Sequence, residues 1–93
     1  MMLRLETTSQ FRKGYKRARK RGYDMNLLEA VLEKLQKQET LDKKYYDHAL
    51  SGDHKGFREC HIQPDWLLIY AIHQEELVLI ASETGTHADL FGK

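Results

Sequence analysis

The chain has 93 residues with one proline, six glycines and a single cysteine, enough for one domain of ordinary size and too short for a second. Hydrophobic residues make up 41% and charged residues 31% of it, which excludes both a low-complexity disordered tail and a membrane-embedded protein. The net charge of +1 conceals an asymmetry: residues 1–24 hold eight Lys/Arg against two acids, a net of +6, whereas the remainder carries seven Lys/Arg and twelve Asp/Glu, a net of −5.

The lone Cys60 allows neither an internal disulfide nor a cysteine-based zinc site and fits a reducing compartment, so the expected location is the cytoplasm. The opening residues lack the apolar stretch of a signal peptide, no later run approaches the length that spans a bilayer, and no membrane association is expected.

A short strand is expected at residues 3–6. The following segment reads as an amphipathic basic helix: at 100° per residue Phe11, Gly14, Tyr15 and Ala18 share one arc, while Arg12, Lys13, Lys16, Arg17, Lys20 and Arg21 share the other. Thr8 or Ser9 suits its N-cap and Gly22 its C-terminal turn. No acid lies between Arg12 and Arg21, and a helix stabilised by its own i,i+4 pairs interleaves the two signs; this one suits a polyanion. Asp24 can cap a second helix, with Leu27, Leu28, Val31, Leu32 and Leu35 at core spacing. A linker is expected over 39–52, anchored by Leu41, Tyr45 and Tyr46.

From Lys55 the period becomes that of a strand: Phe57, Glu59 and His61 alternate with Arg58, Cys60 and Ile62 before a turn at 63–65. Residues 66–72 read as a strand buried on both faces, 73–76 as a polar connection, 77–81 as another strand and 86–91 as a short helical turn. The economical fold is α+β: two helices on one face of an antiparallel-rich sheet completed by a three-strand meander, as a single domain over 1–93.

Four of the five histidines can approach one surface of the sheet half, and Glu59 and His61, two apart on one strand, share a face with Asp65 just past the turn. Ligand spacing for zinc or calcium is absent, and no metal or other cofactor is expected. Cys60 alternates away from Glu59 and His61 toward the core and is no nucleophile, and Gly85 alone makes no phosphate cradle. General acid/base chemistry on a phosphodiester fits what remains, because RNA carries its own nucleophile in the 2′-hydroxyl and imidazole serves both proton roles.

Residues 47–52 (DHALSG), 55–70 (KGFRECHIQPDWLLIY) and 85–91 (GTHADLF), in that order and with two helices before them, resemble the YafQ branch of the RelE/ParE toxin superfamily. The resemblance covers nearly the whole chain. It implies a bacterial type II toxin: a ribosome-dependent mRNA endoribonuclease that cuts in the A site without metal, is monomeric when free, and is neutralised in a hetero-oligomer by a cognate antitoxin of DinJ type. Carried over by position, His48, His61, Asp65 and His87 match the family's catalytic set, Glu59 a supporting carboxylate, and Phe91 a substrate-positioning aromatic. His87 is expected to be the general acid, with His48, His61 and Asp65 sharing base and orienting duties. One departure stands out: Glu83 occupies the place of a family arginine that stabilises transition-state charge, so either Arg58 or Lys55 supplies that cation or activity is weakened. The alternative reading is a weakened or non-catalytic member that binds an antitoxin, or gyrase as ParE-type members do. For a ribosome-dependent nuclease, Arg12, Lys13, Lys16, Arg17, Lys20 and Arg21 become a ribosomal RNA docking face.

Overall fold

A computed structural model describes residues 2–92; Met1 and Lys93, the ends of the expected 1–93 domain, lie outside the described residues. Chain order is β1 (Arg4–Thr7), α1 (Ser9–Lys20), α2 (Met25–Gln36), β2 (His48–Ala49), β3 (Arg58–Gln63), β4 (Trp66–His73), β5 (Val78–Gly85) and α3 (His87–Phe91). The five strands form one mixed sheet ordered β1-β5-β4-β3-β2, in which β1 runs parallel to β5 and every other pair is antiparallel.

Local chemistry sets the helix limits. The Thr8 hydroxyl accepts from the Phe11 amide to start α1, and the Asp24 carboxylate accepts from the Asn26 amide to start α2. Gly22, at φ +84°, takes the left-handed conformation between them. Phe11 and Ala18 of α1 and Leu28, Val31, Leu32 and Leu35 of α2 meet Cys60, Ile62, Trp66, Leu68, Tyr70, Leu79 and Ala81 in a single core on one sheet face. Gly14 permits this approach: a Cβ there would collide with the carbonyl oxygen of Thr84. Leu67, Ile69 and Ala71 point the other way and are buried as well, so β4 is covered on both faces as its apolar run requires.

The polar atoms within this core are paired. The Trp66 indole N–H donates to Thr84 Oγ1 at 3.0 Å, and the Thr84 hydroxyl donates to the Leu67 carbonyl at 2.7 Å.

The structure departs from the expected elements in three places. The fifth strand begins at Val78 and runs to Gly85 through a register shift, in place of the expected 77–81; Leu77 belongs to the turn, with φ +56°. The linker contains 3₁₀ turns at Lys43–Tyr45 and Gly52–His54 and the two-residue strand β2. Of its three anchors Leu41 is buried and Tyr45 packs on the core, but Tyr46 is 69% exposed.

Candidate active site

The β2–β3–β4 register lays His48 beside Glu59 and Glu59 beside Ile69, with His61 beside Leu67. His48, Glu59 and His61 therefore lie on the face away from the helices. The Glu59 side chain is only 8% exposed and sits between two imidazoles, with Oε1 3.3 Å from His48 Nε2 and 3.6 Å from His61 Nε2. The far nitrogen of each ring faces a carbonyl: His48 Nδ1 lies 2.7 Å from the Tyr46 oxygen and His61 Nδ1 3.3 Å from that of Pro64. A carbonyl only accepts, so Nδ1 carries the proton; Nε2 donates to Glu59 only in the doubly protonated ring. The carboxylate is thus built to receive a positive charge that arrives on either imidazole.

The third histidine comes from α3. Thr86 and Asp89 form a reciprocal capping box that starts this short helix. Asp65, in the β3–β4 turn, accepts from both the backbone N–H of His87 at 2.9 Å and its ring Nδ1–H at 2.6 Å. This fixes one tautomer and leaves Nε2 open. Both bonds favour the ionised carboxylate, the backbone one more strongly, and hold Asp65 below the usual carboxylate range. The His61 ring lies 5.8 Å from that of His87 and 6.5 Å from that of His48, so three imidazoles stand side by side on one surface. Asp65, near enough in sequence to orient Glu59 or His61, clasps His87 instead.

His54 brings a fourth ring to the same surface, edge-on to Phe91 at 5.7 Å. Phe91 is 37% exposed at the end of α3, and Lys55, directly after His54, is exposed. His73 stands apart, paired with Glu76 at 3.8 Å at the other end of β4.

The expected substitute cation Arg58 is elsewhere. It pairs with Tyr70 in the register and its guanidinium lies 3.3 Å from Asp47, which also accepts from the Tyr70 hydroxyl at 2.6 Å. That puts Arg58 on the face opposite Glu59 and His61. Glu83 pairs with Ile69, which pairs with Glu59, so its carboxylate is on the candidate face two strands away, roughly 10 Å at ordinary strand spacing. Cys60 is fully buried, and desolvation pushes its thiol up to about 12; it stays protonated and is no nucleophile.

Not all of the basic face of α1 is available to a polyanion. Arg21 makes a forked contact with Asp89 at 2.8 and 3.1 Å, Arg17 approaches the same carboxylate at 3.6 Å, and Arg12 donates to the Thr7 carbonyl and hydroxyl at 2.9 and 3.0 Å. Lys13, Lys16 and Lys20 take part in no ion pair among the described residues. Asp89 and Tyr46 support the site in roles that sequence reasoning does not assign them, Tyr46 being expected there only as a linker anchor. Tyr46 directly precedes the Asp47-His48 pair, which is the available signal.

Among the described residues no group of three or more His, Cys, Asp or Glu side chains has a metal-holding arrangement; in the present geometry the three imidazoles flank a space without converging on a point.

Comparison with known proteins bears on the family and the fold. The family model described as bacterial toxin of type II toxin-antitoxin system, YafQ, matches residues 3–92. The mRNA interferase toxin YafQ of Escherichia coli K12 is 42% identical over 89 residues, 95% of each chain. A metal-bound toxin from Helicobacter pylori superposes with a TM-score of 0.91 at 43% identity, over 97% of this chain and 100% of that one. The E. coli DinJ-YafQ toxin-antitoxin complex gives 0.88 at 40% identity, over 99% and 100%. With a match that runs through both helices, the whole sheet and α3, the chain belongs to the YafQ family of bacterial type II toxins.

Proposed function

We propose that this chain is an mRNA endoribonuclease, the toxin of a type II pair, acting on ribosome-bound mRNA in the cytoplasm as a single domain over 1–93. The observation that supports the reading is the grouping of three imidazoles and two carboxylates from β2, β3, the β3–β4 turn and α3 on one surface, with Nε2 of His87 left free by the Asp65 contact. The relatives bear on the biological setting, one being an mRNA interferase and another crystallised with the antitoxin DinJ. A DinJ-like antitoxin is the corresponding partner, binding the free monomer into a hetero-oligomer.

In this reading a base at His48 or His61 takes the 2′-hydroxyl proton, and Glu59 balances the charge left on the imidazole. The 2′-oxygen attacks the adjacent phosphorus, and the bond to the 5′-oxygen breaks to leave a 2′,3′-cyclic phosphate. His87, held by Asp65, delivers the proton the departing 5′-oxygen needs. Phe91 and Lys55 hold the substrate strand. No step uses a metal; the metal-bound state of the H. pylori toxin is a property of that protein.

Glu83 favours a second, weaker form of the same reading. With Arg58 locked to Asp47 and Glu83 in place of the family arginine, the phosphorane charge lacks that cation, which lowers the rate by about 10²-fold relative to a site that has it. Purified protein added to ribosomes programmed with a defined mRNA, with cut ends mapped by primer extension, tests both. Cuts that need ribosomes, vanish when the scissile nucleotide is 2′-deoxy and fall at least 10²-fold in His87→Ala are the expected result; intact mRNA with folded protein overturns the nuclease reading.

A further inference from the structure

A cleft of about 570 Å³ opens beside His61, lined among others by Leu27, Lys44, Tyr45, Tyr46 and Pro64. Its volume is that of a small-ligand site. Tyr46 is its most conspicuous wall. The ring is 69% exposed yet held edge-on to His61 at 5.5 Å, on a left-handed backbone with φ 47° and ψ 44°. A bulky residue rarely takes that conformation, and strained residues cluster where ligands are held. The turn itself has a use, since the Tyr46 carbonyl holds His48, but glycine or asparagine would make the turn more easily. What remains unexplained is why an aromatic ring stands there in water. Beside it Lys44 lies over the Tyr45 ring at 5.2 Å and takes part in no ion pair among the described residues.

Exposed aromatic faces with an adjacent cation are how proteins hold unpaired RNA bases: the ring stacks on the base and the cation meets the phosphate. The cleft shares His61 with the candidate active site, so a strand whose phosphate lies among the three histidines must lead past Tyr46. A folded protein partner covers roughly 800 Å² of surface per side, a broader and flatter footprint than a cleft of this volume. We propose that the Tyr46 cleft is a nucleobase subsite: the base of a nucleotide flanking the scissile phosphate stacks on Tyr46, with Lys44 on the neighbouring phosphate. The proposal rests on the mRNA-cleavage reading above and adds a residue that sets the register of the cut strand.

The test measures affinity of the protein for ribosomes programmed with mRNA that is 2′-O-methylated at the cut, so that binding is read without cleavage. Tyr46→Ala weakens binding about tenfold on intact mRNA and leaves it unchanged on mRNA made abasic at the stacked flanking nucleotide. Tyr46→Phe binds as the wild type. Tyr46→Gly, suited to the left-handed backbone, reproduces the loss while melting no lower than the wild type, which separates lost stacking from lost fold. Wild-type affinity in Tyr46→Ala overturns the proposal, as does an equal loss on mRNAs abasic at either flanking nucleotide, or a loss confined to antitoxin binding. Ordinary mRNA in the same complexes tests the parent reading separately. Tyr46-dependent binding without cleavage overturns the nuclease reading and keeps the subsite, cleavage without Tyr46 dependence does the reverse, and wild-type protein that binds no programmed ribosome overturns both.

Discussion

Asp65 accepts two hydrogen bonds from one residue, the backbone N–H and the ring N–H of His87, and so fixes both where that imidazole is and which nitrogen it presents. Because these bonds hold the Asp65 pKa below the usual carboxylate value, the orienting charge is fully present above that usual value, about 4, and is lost only as pH falls through the lowered one. Asp65→Asn is therefore expected to lower kcat by about a hundredfold at pH 7. Single-turnover kinetics on programmed ribosomes check it, and wild-type kcat in the variant contradicts the assignment. The histidines themselves are legible from their spacing and motif context, and Glu59 from its alternation with Cys60. Their partners are not. That Asp65 turns to His87 depends on where α3 docks, and that Arg58 is taken by Asp47 and Tyr70 depends on β4 lying beside β3; neither is written within a few residues of the side chain concerned.

The short helix that carries His87, the proposed general acid, shows how far an element depends on the rest of the chain. α3 has five residues, well below the length at which an isolated helix is stable in water. Asp89 holds it twice, closing the capping box with the Thr86 amide at 2.9 Å and taking the guanidinium of Arg21 and the approach of Arg17 from α1. Its side chain is 13% exposed, and the Arg21 contact chiefly drives its pKa well below the usual carboxylate range. Its stabilising effect is thus present above the unfolded-state value of about 4 and disappears as pH drops toward the depressed folded value. Asp89→Ala is expected to lose about 1 kcal/mol from the capping box alone, a fall of roughly 4–8 °C in melting temperature at neutral pH. Melting curves from pH 7 to 3 should show the wild type losing this advantage only at the acid end, with kcat of the variant reduced at every pH because His87 is less well placed. In the sequence the acid-free face of α1 reads as an invitation to polyanions. Half of the explanation lies 68 residues away in Asp89, a separation that no local charge pattern reveals. β2, two residues long, is equally hidden, since only its pairing with β3 makes it a strand.

For the molecule as a whole, the division of charge survives these corrections in narrower form. The helices, the buried β4 and the sheet's helix-covered face are recoverable from periodicity and capping, because those signals are local. The parallel pairing of β1 with β5 is not, because it joins opposite ends of the chain. Lys13, Lys16 and Lys20, like Arg19, take part in no ion pair among the described residues, on a helix that touches α3 through Arg17 and Arg21. Replacing the three lysines with alanine is expected to weaken ribosome binding and flatten its dependence on log salt by about one unit for each phosphate that is no longer neutralised. The melting temperature should stay near the wild type, in contrast to Arg21→Ala; binding against salt concentration with parallel thermal melts decides it, and an unchanged slope rules the docking face out. The position of β5 also bears on timing. It lies between β1 and β4, and His87 and Phe91 follow it in α3, so a nascent chain has no partner for its first strand and lacks the proposed general acid until β5 and α3 have left the ribosome. Pairing between distant segments forms late. The candidate site of a growing chain is therefore incomplete while only β1 to β4 have emerged.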